Sequence, residues 1–587
     1  MFSQSRLTFI NGILFSIFLL LVACTAANDS FQSNQSLRIH DIQGCSHTSP
    51  FLGQQVAGVT GIVTMKDGKG FFIQENQSDD KDCSSEAVYV YAKKYQEILP
   101  GDFVSVDGIV NEFFPGNPED HNLSRTEIEL KKIKIISRNN MLPDFVILPE
   151  DRYQMPDRII EDDQNLLFDP DKDGIDFYES LESMLIRIPA GVVVGPRNSY
   201  NEIVVLPEQF LSKNILSREG ALLLQEDDLN PERIMIRLNP QIDEAVPLGA
   251  RLVEPVNGVL DYSYGNYKIL VNGPVKIEPL ILTSLPLEKS ENDLRLVSMN
   301  VENFSRFDNE SRFKKLARMF VNDLDSPDII VLHEVMDDSG TADDGNVSSQ
   351  LTIEKLVEAI ANAGEIRYGS IYLPPEDNQD GGIKGGNIRS VILYRLDSGI
   401  QKSTQITDEN APNNPFRIGE EESVFLGARK PLFTILEFQG NPFLLVAVHL
   451  TSRAGDSPLF GNQQPILKPE EMQRLGQAKY INHYLESWQE EHPDMPILVV
   501  GDFNDYPWSQ TLQAIKGSIL ADGSQALPTN ERFSYILDGN AIQLDYILAS
   551  KGFAPNLNVT LPHINTPLDH SAQISDHDPI YADVSFP

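Results

Sequence analysis

Six apolar runs in the second half of the chain each end in an acidic, amide or imidazole residue. This arrangement constrains the fold more than any other feature of the sequence. The runs lie at residues 296–302, 328–334, 445–449, 498–505, 544–547 and 574–578. Short apolar runs of this kind are typical of buried strands, so each polar side chain is expected where a strand leaves the core. The sequence therefore predicts a site assembled from several strand ends.

The residue types at these strand ends indicate the chemistry of that site. They are Asn300, Glu302, Glu334, His449, Asp502, Asn504, Asp545, Asp576 and His577. The set has no Cys or Ser nucleophile, and its carboxylates and amides suit a hard divalent cation with water as the nucleophile. This combination predicts hydrolysis of a phosphoester.

Length and charge set limits on the whole chain. A chain of 587 residues is too long for one core, and about three or four domains are expected. The net charge of -38 argues against broad adhesion to polyanions, and it weakens a nucleic-acid function, which favours a basic face. A bound cation and a few local Lys or Arg side chains still allow an acidic protein to bind phosphates.

The amino terminus predicts export. Arg6 is the one charged side chain before Cys24, and the apolar stretch between them is too short for a confident membrane span. We therefore predict a signal segment at residues 1–24. Its end, Leu-Val-Ala-Cys, resembles a bacterial lipobox, which implies lipidation of Cys24 and a cell-envelope lipoprotein of the outer membrane or cell surface. The alternative is ordinary cleavage near residues 25–27 and a secreted protein.

Two further cysteines, Cys45 and Cys83, follow the predicted signal segment. Two thiols in an exported protein favour a disulfide between them. The alternative is a pair of unrelated buried thiols.

Residues 25–38 are polar and predict a tether, and residues 39–140 contain short apolar runs separated by Gly, Asp and Asn turns. About five strands of this kind fit a small barrel. The Gly-Phe-Phe-Ile-Gln and Pro-Gly-Asp-Phe-Val-Ser-Val-Asp-Gly segments resemble the OB-like domain that precedes the catalytic domain in secreted bacterial nucleases. Barrels of this kind often stack bases on aromatic side chains. Phe71, Phe72, Tyr89 and Tyr91 are the candidates, unless they fill the barrel instead.

Residues 141–179 are acidic and contain several prolines, which predicts a connector. It leads to a second β-rich domain at residues 180–283, and one interpretation of this domain is a degenerate repeat of the barrel. Within the connector, residues 169–176 place alternating Asp residues before Gly174, as at the start of a calcium loop. The twelfth position of that loop is Ser180 rather than Glu, so a solvated acidic turn is the favoured interpretation.

Strands alternate with helices from residue 290 to residue 587. Apolar residues follow helical spacing over 313–324 and 472–488, and helices between buried strands predict a layered α/β domain. The strand-end motifs, in their order along the chain, resemble the endonuclease/exonuclease/phosphatase superfamily, the group of deoxyribonuclease I and exonuclease III. The resemblance implies a four-layer α/β sandwich with a mixed two-sheet core.

The same resemblance implies a metal site for Mg²⁺ or Mn²⁺ formed by Asn300, Glu302, Glu334 and Asp576, with Glu334 as the principal ligand. The chain departs from the family at His333, where Gln is more usual.

The catalytic residues that the resemblance implies are His449, Asp502, Asn504, Asp545 and His577. His449 and His577 contact the phosphate, Asp502 and Asn504 flank the attacking water, and Asp545 orients His577.

Two arginines, Arg389 and Arg453, are candidate contacts to the substrate phosphate, with ordinary surface guanidinium groups as the alternative. We expect a divalent-metal-dependent nuclease that acts on extracellular or periplasmic DNA, with RNA as the other possible substrate, and that is held at a membrane by a lipid anchor. No protein partner is predicted. The alternatives are a phosphoesterase of the same superfamily acting on lipid or inositol phosphates, and a non-enzymatic surface binding module.

Overall fold

A computed structural model describes residues 37–79, 81–94, 97–239, 244–280, 292–403 and 413–586. The predicted signal segment, Cys24 and most of the tether lie outside these residues. Within the described ranges, no helix has the length and apolar character needed to cross a membrane.

The first region forms a five-stranded barrel. Its elements are the helix Ile39–Gln43 (α1) and the strands Gln55–Lys66 (β1), Gly70–Gln74 (β2), Ala87–Tyr91 (β3), Phe103–Phe113 (β4) and Arg125–Ser137 (β5). The strands close in the order β1-β2-β3-β5-β4. Alternate residues of β4, such as Val104 and Val106, are fully buried, as expected for a strand with one face on the barrel interior. The predicted barrel is present, and the narrower OB-like assignment stays a prediction.

Three of the four aromatic candidates of the barrel are buried and do not form a surface for stacking bases, while Tyr91 is partly buried. Phe71 belongs to the barrel core, and Phe72 and Tyr89 pack against Leu185 and Val259 of the next region. All three aromatic side chains are at most 1% exposed. The alternative interpretation, that these rings fill the interior, is therefore the correct one for Phe71, while the other two fill an interface between regions.

The predicted disulfide between Cys45 and Cys83 is confirmed. It links the loop after α1 to the residues before β3, across a separation of 38 residues.

Replacing both Cys45 and Cys83 by Ser is expected to lower the stability of the barrel by about 4 kcal/mol, because an open chain of this length gains entropy when unfolded. The urea midpoint of the barrel transition, followed without reductant, measures the loss. Dithiothreitol should lower the midpoint of the wild-type protein to that of the variant and leave the variant unchanged. Equal midpoints without reductant would contradict the expectation.

The second region is an open nine-stranded sheet and not a second five-stranded barrel, so that interpretation of residues 180–283 is wrong. Its elements are the helix Gly174–Glu179 (α2) and the strands Val146–Ile147 (β6), Leu185–Ile188 (β7), Gly191–Gly195 (β8), Glu202–Pro207 (β9), Ile234–Arg237 (β11), Arg251–Leu252 (β12), Val256–Ser263 (β13), Asn266–Leu270 (β14) and Ile277–Glu278 (β15), with Leu222–Leu223 (β10) pairing elsewhere. The sheet order is β15-β12-β8-β9-β11-β14-β13-β7-β6.

The segment predicted as a connector belongs to this second region. It contributes β6 and α2, and its apolar residues Leu148, Ile160 and Ile175 lie in the same core as the sheet. The second region therefore begins near residue 146 rather than 180, because a few apolar residues among the prolines and acids are enough to anchor the segment.

The third region contains the predicted strands and helices. Its helices are Glu310–Arg318 (α3), which continues as a π-helix over Met319–Asp323, Gln350–Gly364 (α4), Glu471–Glu491 (α5) and Gln510–Lys516 (α6). Its strands are Leu294–Phe304 (β16), Ile329–Val335 (β17), Tyr368–Ile371 (β18), Arg389–Arg395 (β19), Gln401–Lys402 (β20), Phe416–Arg417 (β21), Leu432–Phe438 (β22), Asn441–His449 (β23), Ile497–Asp502 (β24), Leu520–Asp522 (β25), Tyr535–Leu537 (β26), Asn540–Ile542 (β27), Asp545–Ser550 (β28), Leu557–Thr560 (β29) and Ile580–Val584 (β30).

Two mixed sheets stack face to face in this region. One has the order β18-β19-β17-β16-β30-β29, and the other has the order β20-β22-β23-β24-β28-β25 with β21 paired to β22. In β16, Leu294 and Leu296 face the second sheet while Val297 and Met299 face α3 and α4, because side chains alternate along a strand. Helices α5 and α6 cover the other sheet, which gives the four layers implied by the resemblance.

A small third sheet joins the second and third regions. Its order is β10-β27-β26, so a strand of the second region pairs directly with the catalytic region.

Candidate active site

Strand register brings the predicted site residues to one edge of the two sheets. Parallel strands β23 and β24 place His449 opposite Asp502, and antiparallel β28 places Asp545 opposite Asp502. In the first sheet, parallel strands β16 and β17 place Asn300 opposite His333, the residue before Glu334. Because carboxyl ends of parallel strands share one edge, the six sequence segments meet there.

Asn300 joins the two sheets at this edge. Its Nδ2 lies 3.1 Å from Glu334 Oε1 and 3.1 Å from Asp502 Oδ2. His449 Nε2 lies 3.8 Å from Glu334 Oε1 and 3.6 Å from Asp502 Oδ2. His577 Nε2 lies 3.9 Å from the same oxygen, Asp502 Oδ2. Asp502 is therefore the centre of the cluster.

The backbone is held in an uncommon conformation at three of these positions. Glu302, Glu334 and Asn504 have φ values of 50°, 65° and 52°, in the left-handed region that side chains rarely adopt. Such strain persists where surrounding structure enforces it, and it collects at functional sites. Here it lets backbone amides hold the acids: Asn303 N donates to Glu334 Oε2 at 2.9 Å, and Asn504 N donates to Asp502 Oδ1 at 2.9 Å.

The environment of Asp502 makes it a weak acid suited to proton transfer. Asp502 is 1% exposed, and this burial raises its pKa to about 7, with Asp545 adding to the rise and His577 opposing it. A carboxylate with a pKa near the working pH is a suitable general base.

The two histidines of the cluster differ in charge. Burial disfavours the imidazolium of His577, but the carboxylates of Asp545 and Asp502 outweigh it and raise the pKa of His577 well above its ordinary value. The hydrogen bond from His577 Nδ1 to Asp545 Oδ2 is 2.7 Å long. Burial lowers the pKa of His449 well below its ordinary value, and Arg429 lowers it further. His577 is therefore cationic near neutral pH, and His449 is neutral.

The residues predicted as metal ligands fit a hard divalent cation. Partial burial raises the pKa of Glu302 to about 7, and the nearby carboxylates of Asp576 and Glu334 add to the rise. Ser575 Oγ donates to the carbonyl of Asn300 at 2.7 Å and fixes the backbone next to Asp576. The three carboxylates are oxygen donors of the kind that Mg²⁺ or Mn²⁺ prefers, while the Oδ1 of Asn300 accepts from the backbone amide of Glu302 at 2.9 Å.

The cluster lies at the base of a cavity of about 820 Å³. Its wall includes the predicted residues Asn300, Glu302, Glu334, His449, Asp502, Asn504, Asp576 and His577. Asp545 is fully buried behind His577. The pocket is large enough for part of a phosphodiester substrate.

Arg389 is not brought to this cavity, so the structure does not support its predicted contact with the phosphate. Its guanidinium donates to the carbonyl oxygens of Val347 and Asn387, and the residue is 5% exposed. Strand β19 starts at Arg389, and the side chain turns toward the loop before α4.

A different arginine, Arg429, lines the cavity, and the sequence analysis missed it. Its Nη2 donates to the carbonyl of Leu450 at 2.5 Å. Burial lowers the pKa of Arg429, and the carboxylates of Glu334 and Asp502 oppose that shift. The available signal was its place just before β22, since the start of this antiparallel strand lies beside the end of β23 that carries His449.

Arg453 does line the cavity. Its guanidinium lies 3.8 Å from the centre of the Tyr506 ring, and its Nε and Nη2 donate to Asp456 Oδ2 at 2.9 and 2.7 Å. Tyr506 stacks on Trp508 at a centroid distance of 4.9 Å.

Comparison with known families assigns two parts of the chain. Residues 297–577 match the model described as the Endonuclease/Exonuclease/phosphatase family. Residues 146–278 match a domain of unknown function (DUF8508), which begins where β6 begins. No curated protein matches the chain.

Solved structures similar to this chain include truncated TDP2 from Caenorhabditis elegans, at 17% identity over 50% of this chain and 98% of that chain, with a TM-score of 0.34. An endonuclease/exonuclease/phosphatase from Bacteroides vulgatus has 17% identity over 50% of this chain and 99% of that chain, with a TM-score of 0.34. The human Nocturnin catalytic domain has 18% identity over 51% of this chain and 97% of that chain, with a TM-score of 0.32.

Proposed function

We propose, from the match of residues 297–577 to the endonuclease/exonuclease/phosphatase family and from the geometry of the cavity, that the protein is a divalent-metal-dependent phosphodiesterase acting on nucleic acid. The observation that carries this proposal is the meeting of a carboxylate base, a cationic imidazole and a set of oxygen ligands around Asp502 in one cavity. Each of these groups has a separate part in attack of water on a phosphodiester.

The residues of the chain supply a base and its orientation. Asp502, once ionised, accepts the proton of the attacking water as the oxygen of that water bonds to phosphorus. Asn504 is fixed beside it, because its Nδ2 donates to the carbonyl of Leu450 at 3.2 Å. These two side chains align the water with the phosphate.

Positive groups on the other side stabilise the charge that grows on the phosphate oxygens. His577 donates a charged N–H, neutral His449 donates an uncharged one, and Arg429 adds a buried guanidinium. A divalent cation held by Asn300 and Glu334, with Glu302 and Asp576 close by, would neutralise phosphate charge when bound.

The cavity wall supports nucleic acid as the substrate class. Arg453 places a cation on the cavity wall for the substrate backbone, and Tyr506, which is stacked on Trp508, lies under its guanidinium. Arg389 and the aromatic residues of the barrel give this proposal no support, since neither reaches the cavity.

Export to the cell envelope by a lipid anchor on Cys24 is part of the same proposal. The disulfide between Cys45 and Cys83 supports it, because such bonds persist in oxidising compartments. Mass spectrometry of the membrane fraction after expression in a bacterium tests it, with diacylated Cys24 as the expected amino terminus.

The purified protein is expected to cut plasmid DNA or RNA, to stop when EDTA removes divalent metal, and to recover with Mg²⁺ or Mn²⁺. Gel electrophoresis of each nucleic acid and release of headgroup from a lipid phosphodiester are the measurements. Turnover of the lipid with intact nucleic acid would move the substrate to the alternative class. Hydrolysis of none of the three, with or without metal, would support a binding module instead.

A further inference from the structure

A buried acid in the second region has no partner. Asp173, just before α2, is fully buried, and neither of its carboxylate oxygens has a hydrogen-bond partner within the described part of the chain. Asp176 is also fully buried. The interpretation of residues 169–176 as a solvated turn is therefore wrong. Burying a carboxylate without a partner is costly, so its position calls for a ligand.

Other oxygen atoms converge on the same place. Glu161, Asp173 and Asp176 each place one carboxylate oxygen within 4.8 Å of the others. One side-chain oxygen of Glu161, of Asn165 and of Asp169 is also buried and has no hydrogen-bond partner in the described residues. These five side chains come from a single stretch of sixteen residues, 161–176, in which the backbone amide of Asp169 donates to Asp176 Oδ2 at 2.7 Å.

The cationic side chains nearby are already engaged at the outside of this cluster. His47 Nε2 lies 2.6 Å from Asp176 Oδ1, and Lys172 Nζ lies 2.5 Å from Asp169 Oδ2. Both oxygens of Asp176 are in contact, because Oδ2 also accepts from the backbone amide of Asp169 at 2.7 Å, whereas Asp169 Oδ1 and both oxygens of Asp173 have no hydrogen-bond partner in the described residues. Burial raises the pKa of Asp173 to about 8, and the charges of Glu161 and Asp162 add to the rise.

We propose that Glu161, Asp173 and Asp176, with the buried oxygens of Asn165 and Asp169, bind one Ca²⁺ ion. Ca²⁺ takes six to eight oxygen ligands at about 2.3–2.6 Å, so ligands of one ion lie up to about 5 Å apart. The separations within the cluster fall inside this limit. Mg²⁺ requires a tighter octahedron and usually keeps several waters, and Zn²⁺ favours nitrogen and sulfur ligands. An all-oxygen, buried donor set therefore selects Ca²⁺.

The position of this calcium site connects it to the active-site cavity. Helix α2 starts directly after Asp173, and its Tyr178 packs edge-on against Phe460 at a centroid distance of 5.8 Å. Pro458 and Leu459, the residues before Phe460, line the cavity of the catalytic region. An ion that fixes the start of α2 would thereby steady this part of the cavity wall.

Isothermal titration of metal-free protein with CaCl₂ tests the proposal. A Glu334→Gln background removes the principal ligand of the proposed catalytic metal, and one Ca²⁺ per chain is expected to remain bound. Adding Asp173→Asn should weaken that binding at least tenfold. The matched control is Asp494→Asn, which makes the same charge change at an exposed position in the third region and should leave the affinity within twofold.

Thermal unfolding provides the second measurement and guards against a folding defect. Ca²⁺ should raise the unfolding temperature of the Glu334→Gln protein and of the Asp494→Asn control. If Asp173→Asn does not fold, Glu161→Gln at the half-buried edge of the cluster should show the same loss of affinity.

Equal Ca²⁺ affinity with and without Asp173, or no binding to the Glu334→Gln protein, would overturn the proposal. Neither outcome would affect the proposed function, which fails separately if metal-supplemented wild-type protein hydrolyses no phosphodiester.

Discussion

Replacing Asp502 by Asn is expected to slow phosphodiester hydrolysis by about 10²–10⁴-fold, the usual contribution of a positioned general base. The amide has nearly the same shape as the carboxylate but does not take up the proton of water. Asp502 contacts Asn300 and lies within 4 Å of both His449 and His577, so its charge also helps to hold these groups in place.

The same variant is expected to be at least as stable as the wild-type protein at pH 8. Burial raises the pKa of Asp502 to about 7, above its unfolded value, so folding favours the protonated form. The contribution of Asp502 to the free energy of unfolding is therefore fully present at low pH and is lost as the pH rises toward 7. The neutral amide avoids that loss, as is common where activity depends on a destabilising residue.

The pH dependence of hydrolysis follows from the same pKa. The base must be ionised, so kcat/KM is expected to fall as the pH drops below about 7. A bound cation favours the ionised form and moves this limb to lower pH. If kcat/KM already began to fall above pH 8 as the pH was lowered, the role of Asp502 as the base would be contradicted.

Single-turnover rates and thermal unfolding of Asp502→Asn are the measurements. Asp494→Asn is the matched control, because it makes the same change at an exposed position before the start of β24. Equal rates for Asp502→Asn and wild-type protein would refute the proposed mechanism.

The position of the catalytic cluster could be predicted because strand ends are determined locally. Each apolar run ends at a polar residue, and the parallel pairs β16–β17 and β23–β24 bring those ends to one edge. The meeting of distant segments could therefore be predicted from the stacking of two sheets alone, with no other knowledge of long-range packing.

The roles of the arginines could not be predicted in this way, because a long side chain at the start of a strand can turn in several directions. Arg389 donates to two carbonyl groups of its own neighbourhood, while Arg429 points into the cavity. Which way each turns depends on the partners that the tertiary fold supplies.

The connector was misinterpreted for a related reason. Prolines and acids predict an exposed segment, but the environment of Asp173 comes from residues that wrap around it, and burial of that kind has no local signature. The alternating acids of residues 169–176 were the available signal, and the missing Glu at the twelfth position concealed it.

Replacing Asp545 by Asn is expected to slow hydrolysis by about 10²-fold or more at pH 8, although Asp545 is fully buried behind His577. The carboxylate of Asp545 accepts the 2.7 Å hydrogen bond of His577 Nδ1 and is the main group that raises the pKa of that imidazole against the effect of burial. Without it, only Asp502 and Asp576 oppose the effect of burial, so the pKa of His577 falls.

The loss should depend on pH in a defined direction. A raised pKa keeps wild-type His577 charged well above neutrality, and its charge is lost only as pH rises through that value. In Asp545→Asn the charge is lost at lower pH, so the deficit should be larger at pH 9 than at pH 6. Rate profiles of both proteins and the NMR titration of His577 measure the shift.

A double-mutant cycle separates this role from a direct one. If Asp545 acts through His577, then Asp545→Asn should cost little further rate in a His577→Ala protein, since the group on which it acts is gone. Additive losses would mean that Asp545 acts on the substrate or the metal independently. Its full burial and its hydrogen bond to the imidazole argue for the first result, because this bond is its direct contact with a group of the cavity, and its other effect, on the pKa of Asp502, is smaller than that of burial.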